Sequence, residues 1–226
     1  MSQVALTQSL PRRALAGFGR SRWTESCVTS VSSVQELSAL FQRCQAERTH
    51  LTFRGSGRSY GDPAVLADGL VVDMTQLSRV LQWDKATGII EVEPGVTIEG
   101  LWRHSLPDGY WPPVVPGTMR PTLGGCLAMN IHGKNCFKAG PFGDHVLELD
   151  LLTASGELKT LSREREPELF RAVIAGLGLL GAVTRVKLKL HRVESGRLRV
   201  TPIRTPSLEA MFDCFVHHFL ITVEGK

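Results

Sequence analysis

The chain has 226 residues, of which 42% are hydrophobic and 21% are charged, and its formal net charge is +4 at pH 7. This composition predicts a folded globular protein and excludes a disordered, collagen-like or coiled-coil chain. Because 26 basic residues are scattered among 22 acidic ones, the charge pattern also argues against a dedicated nucleic-acid surface.

The first part of the chain predicts a mixture of helix and strands behind a plain N-terminal arm, residues 1–16. The arm is basic and lacks the long apolar core of a secretory signal. Ser33 starts the capping-box pattern Ser-Val-Gln-Glu, and apolar residues then recur at helical spacing, so residues 33–46 are predicted to form an amphipathic helix. Short apolar runs predict strands at residues 51–53, 69–73, 80–83 and 89–92, the last two as a hairpin.

The middle of the chain alternates regular elements with segments rich in glycine and proline. Thr97 predicts the start of a helix that Pro107-Asp108-Gly109 ends, and residues 110–118 follow as a rigid connector. The small residues of 122–133 permit a close approach between backbone and ligand. The remaining predictions are a hairpin (145–153 and 157–161), a helix (167–174), a strand (183–190), and a tail with a strand (197–203) and a helix (207–219).

Two glycine motifs require different interpretations. Residues 176–181, GLGLLG, match the letters of the dinucleotide fingerprint, but they follow a predicted helix and precede a strand, so a flexible helix end is favoured over a Rossmann site. Residues 54–62, RGSGRSYGD, fit neither that fingerprint nor a P-loop. Their closely spaced amides can converge on an anion, although for this stretch in isolation an ordinary glycine-rich turn between strands is favoured.

Three further segments combine small residues with hydrogen-bond donors: 116–118, 122–125 and 131–135. A ligand as long as a flavin dinucleotide needs several such contacts. The segments RGSGRSYGD, WPPVVPGT, TLGGCLAMNIHGKN and GLGLLGAVTRVKLKL, in this order, resemble the FAD-linked oxidases of the vanillyl-alcohol-oxidase (PCMH) type. The resemblance covers about residues 17–191.

This resemblance implies an α+β fold with a two-lobed FAD-binding domain, followed by the beginning of a truncated α+β substrate domain. The implied ranges are 1–16 for the N-terminal arm, 17–118 for the first FAD-binding lobe, 119–192 for the second lobe, and 193–226 for the start of an incomplete substrate (cap) domain.

The resemblance also implies noncovalent FAD. Relatives that bind FAD covalently use a histidine or a cysteine where this chain has Arg58 and Arg120. No metal ligand is expected. The residues implied to contact FAD are Gly55, Ser56, Gly57, Arg58, Ser59, Tyr60, Pro116, Gly117, Thr118, Thr122, Gly124, Gly125, Ala128, Ile131, His132 and Val183.

The implied activity is oxidation of a sugar hydroxyl, in the branch of the family that acts on the 2-hydroxyl of a polyprenyl-phosphate pentose. His132 is implied as an acid, a base or an orienting donor, and Lys134 as a cation for the substrate phosphate or the flavin ring; a histidine that only fixes the flavin and a solvated lysine remain the alternatives. An aldonolactone or alditol oxidase of the same fold, and a noncatalytic FAD-binding remnant, also remain open.

The expected partners are a small-molecule or lipid-linked sugar substrate and either a separate C-terminal half or a reductase. No nucleic acid is expected, and no run approaches the roughly 20 apolar residues that span a bilayer. A cytoplasmic location, with or without peripheral membrane attachment, follows. Five cysteines without a C-x-x-C pair favour reduced thiols, and the adjacent His217 and His218 face different ways on a helix, so they do not predict a metal pair.

Overall fold

The computed structural model describes residues 6–197 and 200–217, and within these residues eleven strands and six α-helices form an α+β fold. The strands are β1 Arg12–Ala16, β2 Trp23–Ser30, β3 Leu51–Arg54, β4 Leu70–Asp73, β5 Val80–Asp84, β6 Ile89–Val92, β7 Tyr110–Trp111, β8 Val146–Leu152, β9 Leu158–Ser162, β10 Ala182–Lys189 and β11 His191–Arg192. The helices are α1 Val34–Glu47, α2 Ile98–Ser105, α3 Leu123–Ala128, α4 Cys136–Ala139, α5 Pro167–Val173 and α6 Leu208–Phe215. The chain divides into two compact units, Met1–Glu194 and Ser195–Lys226.

The first sheet has the strand order β1-β2-β4-β3, with β2, β4 and β3 parallel and β1 antiparallel to β2. Helix α1 packs Leu37, Phe41 and Cys44 into the same hydrophobic cluster as the central strand β4. Its cap is the predicted one, because the Ser33 hydroxyl accepts a hydrogen bond from the Glu36 amide at 3.1 Å. Residues 12–16, the C-terminal part of the predicted N-terminal arm, form β1.

The second sheet is antiparallel throughout and has the order β5-β6-β10-β8-β9. Its inner face forms the main core with α2, α3 and α5, which contribute fully buried side chains such as Leu101, Leu123 and Phe170. The predicted lobe boundary after residue 118 therefore does not separate two sheets, since β5 and β6 share a sheet with β8 to β10. The four-range division stays a prediction.

Most predicted elements are present in the first unit. Both hairpins form, and α2 begins at the Thr97 cap, whose hydroxyl accepts a hydrogen bond from the Gly100 amide at 3.0 Å. The predicted connector is only partly irregular, because β7 within it pairs with β11. This pairing also means that β10 is not the last strand of the unit.

The second unit contains α6, which is capped by the Ser207 hydroxyl at 3.2 Å from the Ala210 amide. The predicted tail strand is wrong over residues 200–203, which have no regular structure; residues 198–199 lie outside the described residues. The C-terminal end of the predicted helix and His218 also lie outside them, and His217 is exposed. No helix in the described ranges is long and apolar enough to cross a membrane.

A charged cluster connects three strands on the outer face of the second sheet. The guanidinium of Arg185 on β10 donates to Asp150 at 2.7 Å, to Glu148 at 2.5 Å and to Glu91 at 3.0 Å. The hydrogen bonds with Asp150 are the main reason that the pKa of Arg185 is raised. Burial by itself raises the pKa of Asp150, but the bonds from Arg185 and Thr160 outweigh it and leave that pKa below its ordinary value.

We expect Arg185→Met to lower the free energy of unfolding by about 2 kcal/mol, because three half-buried carboxylates lose their shared cation. The depressed pKa of Asp150 stabilises the wild type above the ordinary carboxyl pKa, and this stabilisation is lost as the pH falls through the folded-state pKa. Urea unfolding between about pH 6 and pH 3 should therefore show a weaker acid dependence in the variant. The control is Arg171→Met, at an exposed position on α5; equal losses in both variants would contradict the prediction.

Candidate functional site

A groove in the first unit is lined by residues 53–55 at the end of β3, by Met74, by Pro94, by α3 with its cap Thr122, and by parts of 173–183. The groove is open to solvent, and the empty space within and above it is about 630 Å³. Its walls are mostly apolar side chains and glycine backbone. The groove therefore suits a ligand that contacts main chain over an extended length.

The start of α3 is fixed against the turn that follows β6. The Gly124 amide donates to the Pro94 carbonyl and the Leu123 amide to the Val96 carbonyl, both at 2.8 Å. A Cβ on Gly124 would lie 2.8 Å from the Pro94 Cβ, so only glycine permits this contact. Since the Gly124 amide already has a partner within the protein, this residue shapes the groove by its small size.

Thr122 and Gly55 bring the other side of α3 against the end of β3. Thr122 is buried and precedes α3, but its hydroxyl makes no capping hydrogen bond. A Cβ on Gly55 would overlap that hydroxyl. The two predicted segments 54–62 and 122–125 therefore meet at Gly55, where a larger residue would not fit.

Residues 174–181 form the opposite wall of the groove. Ala175 and Leu177 have positive φ angles of 65° and 55°, and their amides donate to the carbonyls of Leu127 and Ala128 at the end of α3. The segment lies between α5 and β10, which confirms that it is not a dinucleotide fingerprint. The segment follows the end of α5, as predicted, and it is also hydrogen-bonded to α3 and lines the groove.

The loop 55–62 is held by the residues that follow β1. The Phe18 amide donates to the Ser59 carbonyl at 2.7 Å, and neither Gly17 nor Gly19 leaves room for a Cβ beside the loop backbone. Arg58 stacks over the Phe18 ring at 5.5 Å, and its buried Nε has no hydrogen-bond partner in the described part of the chain. Tyr60 is 78% exposed and meets the Phe18 ring edge-on at 5.7 Å.

The groove brings together six of the predicted cofactor residues: Gly55, Thr122, Gly124, Gly125, Ala128 and Val183. The other predicted residues do not line it: Ser56, Gly57, Arg58, Ser59, Tyr60, Pro116, Gly117, Thr118, Ile131, His132 and Lys134. His132 and Lys134 are exposed in the turn before α4, and neither side chain has a hydrogen-bond partner among the described residues. Their roles stay predictions.

Sequence reasoning missed several groove residues, namely Phe53, Arg54, Met74, Pro94, Leu177 and Leu180. Phe53 and Arg54 immediately precede Gly55, and Leu177 and Leu180 lie inside the motif that was discounted. Proximity to the glycine motifs was thus the one signal available for these four.

The residues present fit an elongated dinucleotide with a diphosphate. Glycines from three segments meet at the groove, so a long ligand can lie against their main chain. The unpartnered Nε of Arg58 offers a charge-assisted hydrogen bond to an anion. Cys126 is fully buried, and burial raises the pKa of its thiol to about 12, which keeps it a packed small residue.

Comparison with known proteins identifies the same cofactor class. The family described as "FAD binding domain" matches residues 26–162. Decaprenylphosphoryl-β-D-ribose oxidase of Mycolicibacterium smegmatis is 38% identical over 81% of this chain and 40% of the relative. Cytokinin dehydrogenase 2 of Arabidopsis thaliana is 31% identical over 74% and 34%, and a putative D-arabinono-1,4-lactone oxidase of Neurospora crassa is 29% identical over 70% and 28%.

The chain thus spans two fifths or less of the length of these relatives. The family match runs from Ser26 within β2 to the end of β9, and it includes the loop 54–62 and all of α3. The order of motifs in the sequence, the α+β fold and this match agree, and the chain belongs to the FAD-binding domain family of PCMH-type FAD-linked oxidases.

Proposed function

We propose that the groove binds FAD noncovalently and that the protein oxidises the 2-hydroxyl of a polyprenyl-phosphate pentose. The observation that supports this most directly is the meeting of three glycine-rich segments at one groove, at the end of β3, at α3 and before β10. FAD would supply a hydride acceptor there. The loop 54–62, with the free Nε of Arg58, is the proposed site for the diphosphate.

Noncovalent binding is supported by the side chains that are present. Arg58 and Arg120 occupy the positions where covalent attachment would need a histidine or a cysteine, and a guanidinium does not form that bond. Cys126 is enclosed in the core with a raised pKa, so its thiolate is not accessible to a flavin.

His132 and Lys134 are the proposed catalytic residues. Removal of a hydride from a carbon bearing a hydroxyl leaves a proton to be taken from oxygen, and the imidazole of His132 can accept it. The ammonium of Lys134 can bind the substrate phosphate. Both side chains are exposed and unpartnered in the described residues, so both are free to contact a substrate.

The substrate class is supported by the decaprenylphosphoryl-β-D-ribose oxidase, which is 38% identical to this chain. An aldonolactone or alditol oxidase is the second candidate, because the Neurospora relative is named a putative lactone oxidase. A noncatalytic FAD-binding role is the third candidate. A separate C-terminal half or a reductase is the proposed protein partner, and the proposed location is cytoplasmic, with peripheral contact to the membrane that holds a lipid-linked substrate.

We expect the purified chain to bind FAD and show absorbance near ~450 nm, and to release the flavin on denaturation. Gly124→Ala should weaken FAD binding about tenfold or more, because the new methyl group forces α3 away from Pro94. Fluorescence titration with FAD measures the affinity of the wild type and of the variant. Gly100→Ala is the matched control, since a Cβ there meets nothing closer than 3.5 Å. Protein that stays colourless with added FAD, or flavin that stays bound after denaturation, would contradict the proposal.

Substrate-dependent bleaching of bound FAD under anaerobic conditions tests the reaction. We expect bleaching by a polyprenyl-phosphate ribose and not by an aldonolactone, and His132→Gln should slow it about 100-fold. Lys134→Met should instead raise the substrate concentration needed for half-maximal rate. Bleaching by the lactone alone would favour the second candidate, and no bleaching by either substrate, even with a separately supplied C-terminal half, would favour the noncatalytic role.

A further inference from the structure

Arg54 is the last residue of β3 and the first residue of the RGSGRSYGD segment, and its guanidinium is directed back into the protein. Nη2 donates to the Ala16 carbonyl at 2.9 Å, and Nη1 donates to the Ala64 carbonyl at 3.2 Å. One side chain thus connects the end of β1, the end of β3 and the residue at which the glycine loop returns.

Two neighbouring contacts show that the loop is built around this guanidinium. Gly57 has a φ of +63°, and a Cβ at this position would overlap the Arg54 Nη2, so the loop backbone passes directly against the side chain. The Thr52 hydroxyl, two residues earlier on β3, donates to the Pro63 carbonyl at 3.2 Å. Consecutive side chains on one face of β3 therefore bind consecutive carbonyls, 63 and 64, at the loop's end.

The same loop is anchored at its middle by the segment that Arg54 holds at Ala16. Beyond Ala16, the Phe18 amide donates to the Ser59 carbonyl at 2.7 Å, and the Phe18 ring supports Arg58. A displacement of Ala16 would therefore be transmitted to Ser59 and Arg58. The guanidinium of Arg54 therefore contacts both the segment that holds the middle of the loop, at Ala16, and the end of the loop, at Ala64.

Burying the charged guanidinium of Arg54 is unfavourable unless its hydrogen bonds are formed. The side chain is half-buried, and burial lowers its pKa while the Asp73 carboxylate partly opposes that shift. Its hydrogen bonds to two carbonyls repay part of the cost of desolvating the charge. A lysine carries the same charge but lacks the planar fork that reaches two carbonyls at once.

We propose that Arg54 is the positioning residue of the glycine loop: it holds residues 55–64 in their binding conformation before a cofactor arrives. This inference rests on the proposed FAD-binding function, because it assigns the loop to that ligand. A loop that is ordered in advance binds with less loss of conformational entropy, so Arg54 raises cofactor affinity through the loop backbone.

Limited trypsin digestion of the FAD-free chain tests the proposal without the cofactor. Cleavage after Arg58 reports opening of the loop, and mass spectrometry separates the fragment that begins at Ser59 from fragments cut elsewhere. We expect Arg54→Met to accelerate cleavage at Arg58 about tenfold, because cleavage follows the population of the open loop. Arg54→Lys should fold with the charge retained and show a smaller increase, about threefold, since it replaces one of two hydrogen bonds.

Arg163→Met is the matched control, because the Arg163 guanidinium also donates to two backbone carbonyls, those of Gly143 and Asp144. It should leave cleavage at Arg58 unchanged. FAD titration of the same proteins should show weaker binding in the order wild type, Arg54→Lys, Arg54→Met, with a loss of about tenfold for the methionine variant.

Two results would overturn the proposal. Equal acceleration at all trypsin sites would mean that Arg54 contributes to global stability only, and weaker FAD binding with an unchanged rate at Arg58 would mean that it contacts the cofactor directly. If the wild type binds no FAD at all, the proposed function fails, but the digestion of the FAD-free chain still decides whether Arg54 orders the loop.

Discussion

The groove depends on backbone segments that approach one another more closely than a Cβ would permit. Gly124 lies against Pro94, and Gly55 lies against Thr122, so α3 is held between the turn after β6 and the end of β3. Gly95 is enclosed by the carbonyls of residues 74, 75 and 77, which fixes that turn in its own place. Any side chain at these positions would separate the elements that line the groove, so the site and the fold share one steric requirement.

A buried carboxylate, which does not line the groove, supports the same turn after β6. Glu93 is only 3% exposed, and it accepts hydrogen bonds from the Arg79 amide at 2.7 Å and from the Arg79 guanidinium at 2.7 and 3.0 Å. These bonds satisfy both carboxylate oxygens, as burial of the charge requires. They join the segment before β5 to the turn that begins with Pro94. The position of α3 therefore depends on an ion pair that does not line the groove.

The extent to which the sequence predicted this structure differs from one element to another. Helices α1 and α2 and both hairpins follow from apolar periodicity and capping residues, and the structure has them. The sequence did not predict β1 or β2. Strand β2 buries Thr24 and Ser26, so it lacks the apolar alternation that identifies a strand. The Ser26 hydroxyl donates to the Leu66 carbonyl at 2.7 Å, a tertiary partner that no local pattern reveals. The groove residues next to glycine motifs were within reach of the sequence, whereas Met74 and Pro94 are brought there by folding alone.

The two glycine motifs show what such a pattern does and does not specify. GLGLLG has the letters of a dinucleotide fingerprint, yet it lies between a helix and a strand and serves as a wall, with its backbone bonded to α3. RGSGRSYGD fails the fingerprint, yet its backbone at Gly57 passes against the Arg54 guanidinium, and the buried Nε of Arg58 has no hydrogen-bond partner among the described residues. In both motifs a glycine with a positive φ lies against a side chain, Phe53 for Gly178 and the motif's own Arg54 for Gly57. The positions of the glycines therefore indicate where the backbone passes close to other atoms. Only the surrounding helices and strands determine whether those atoms belong to a ligand or to the protein itself.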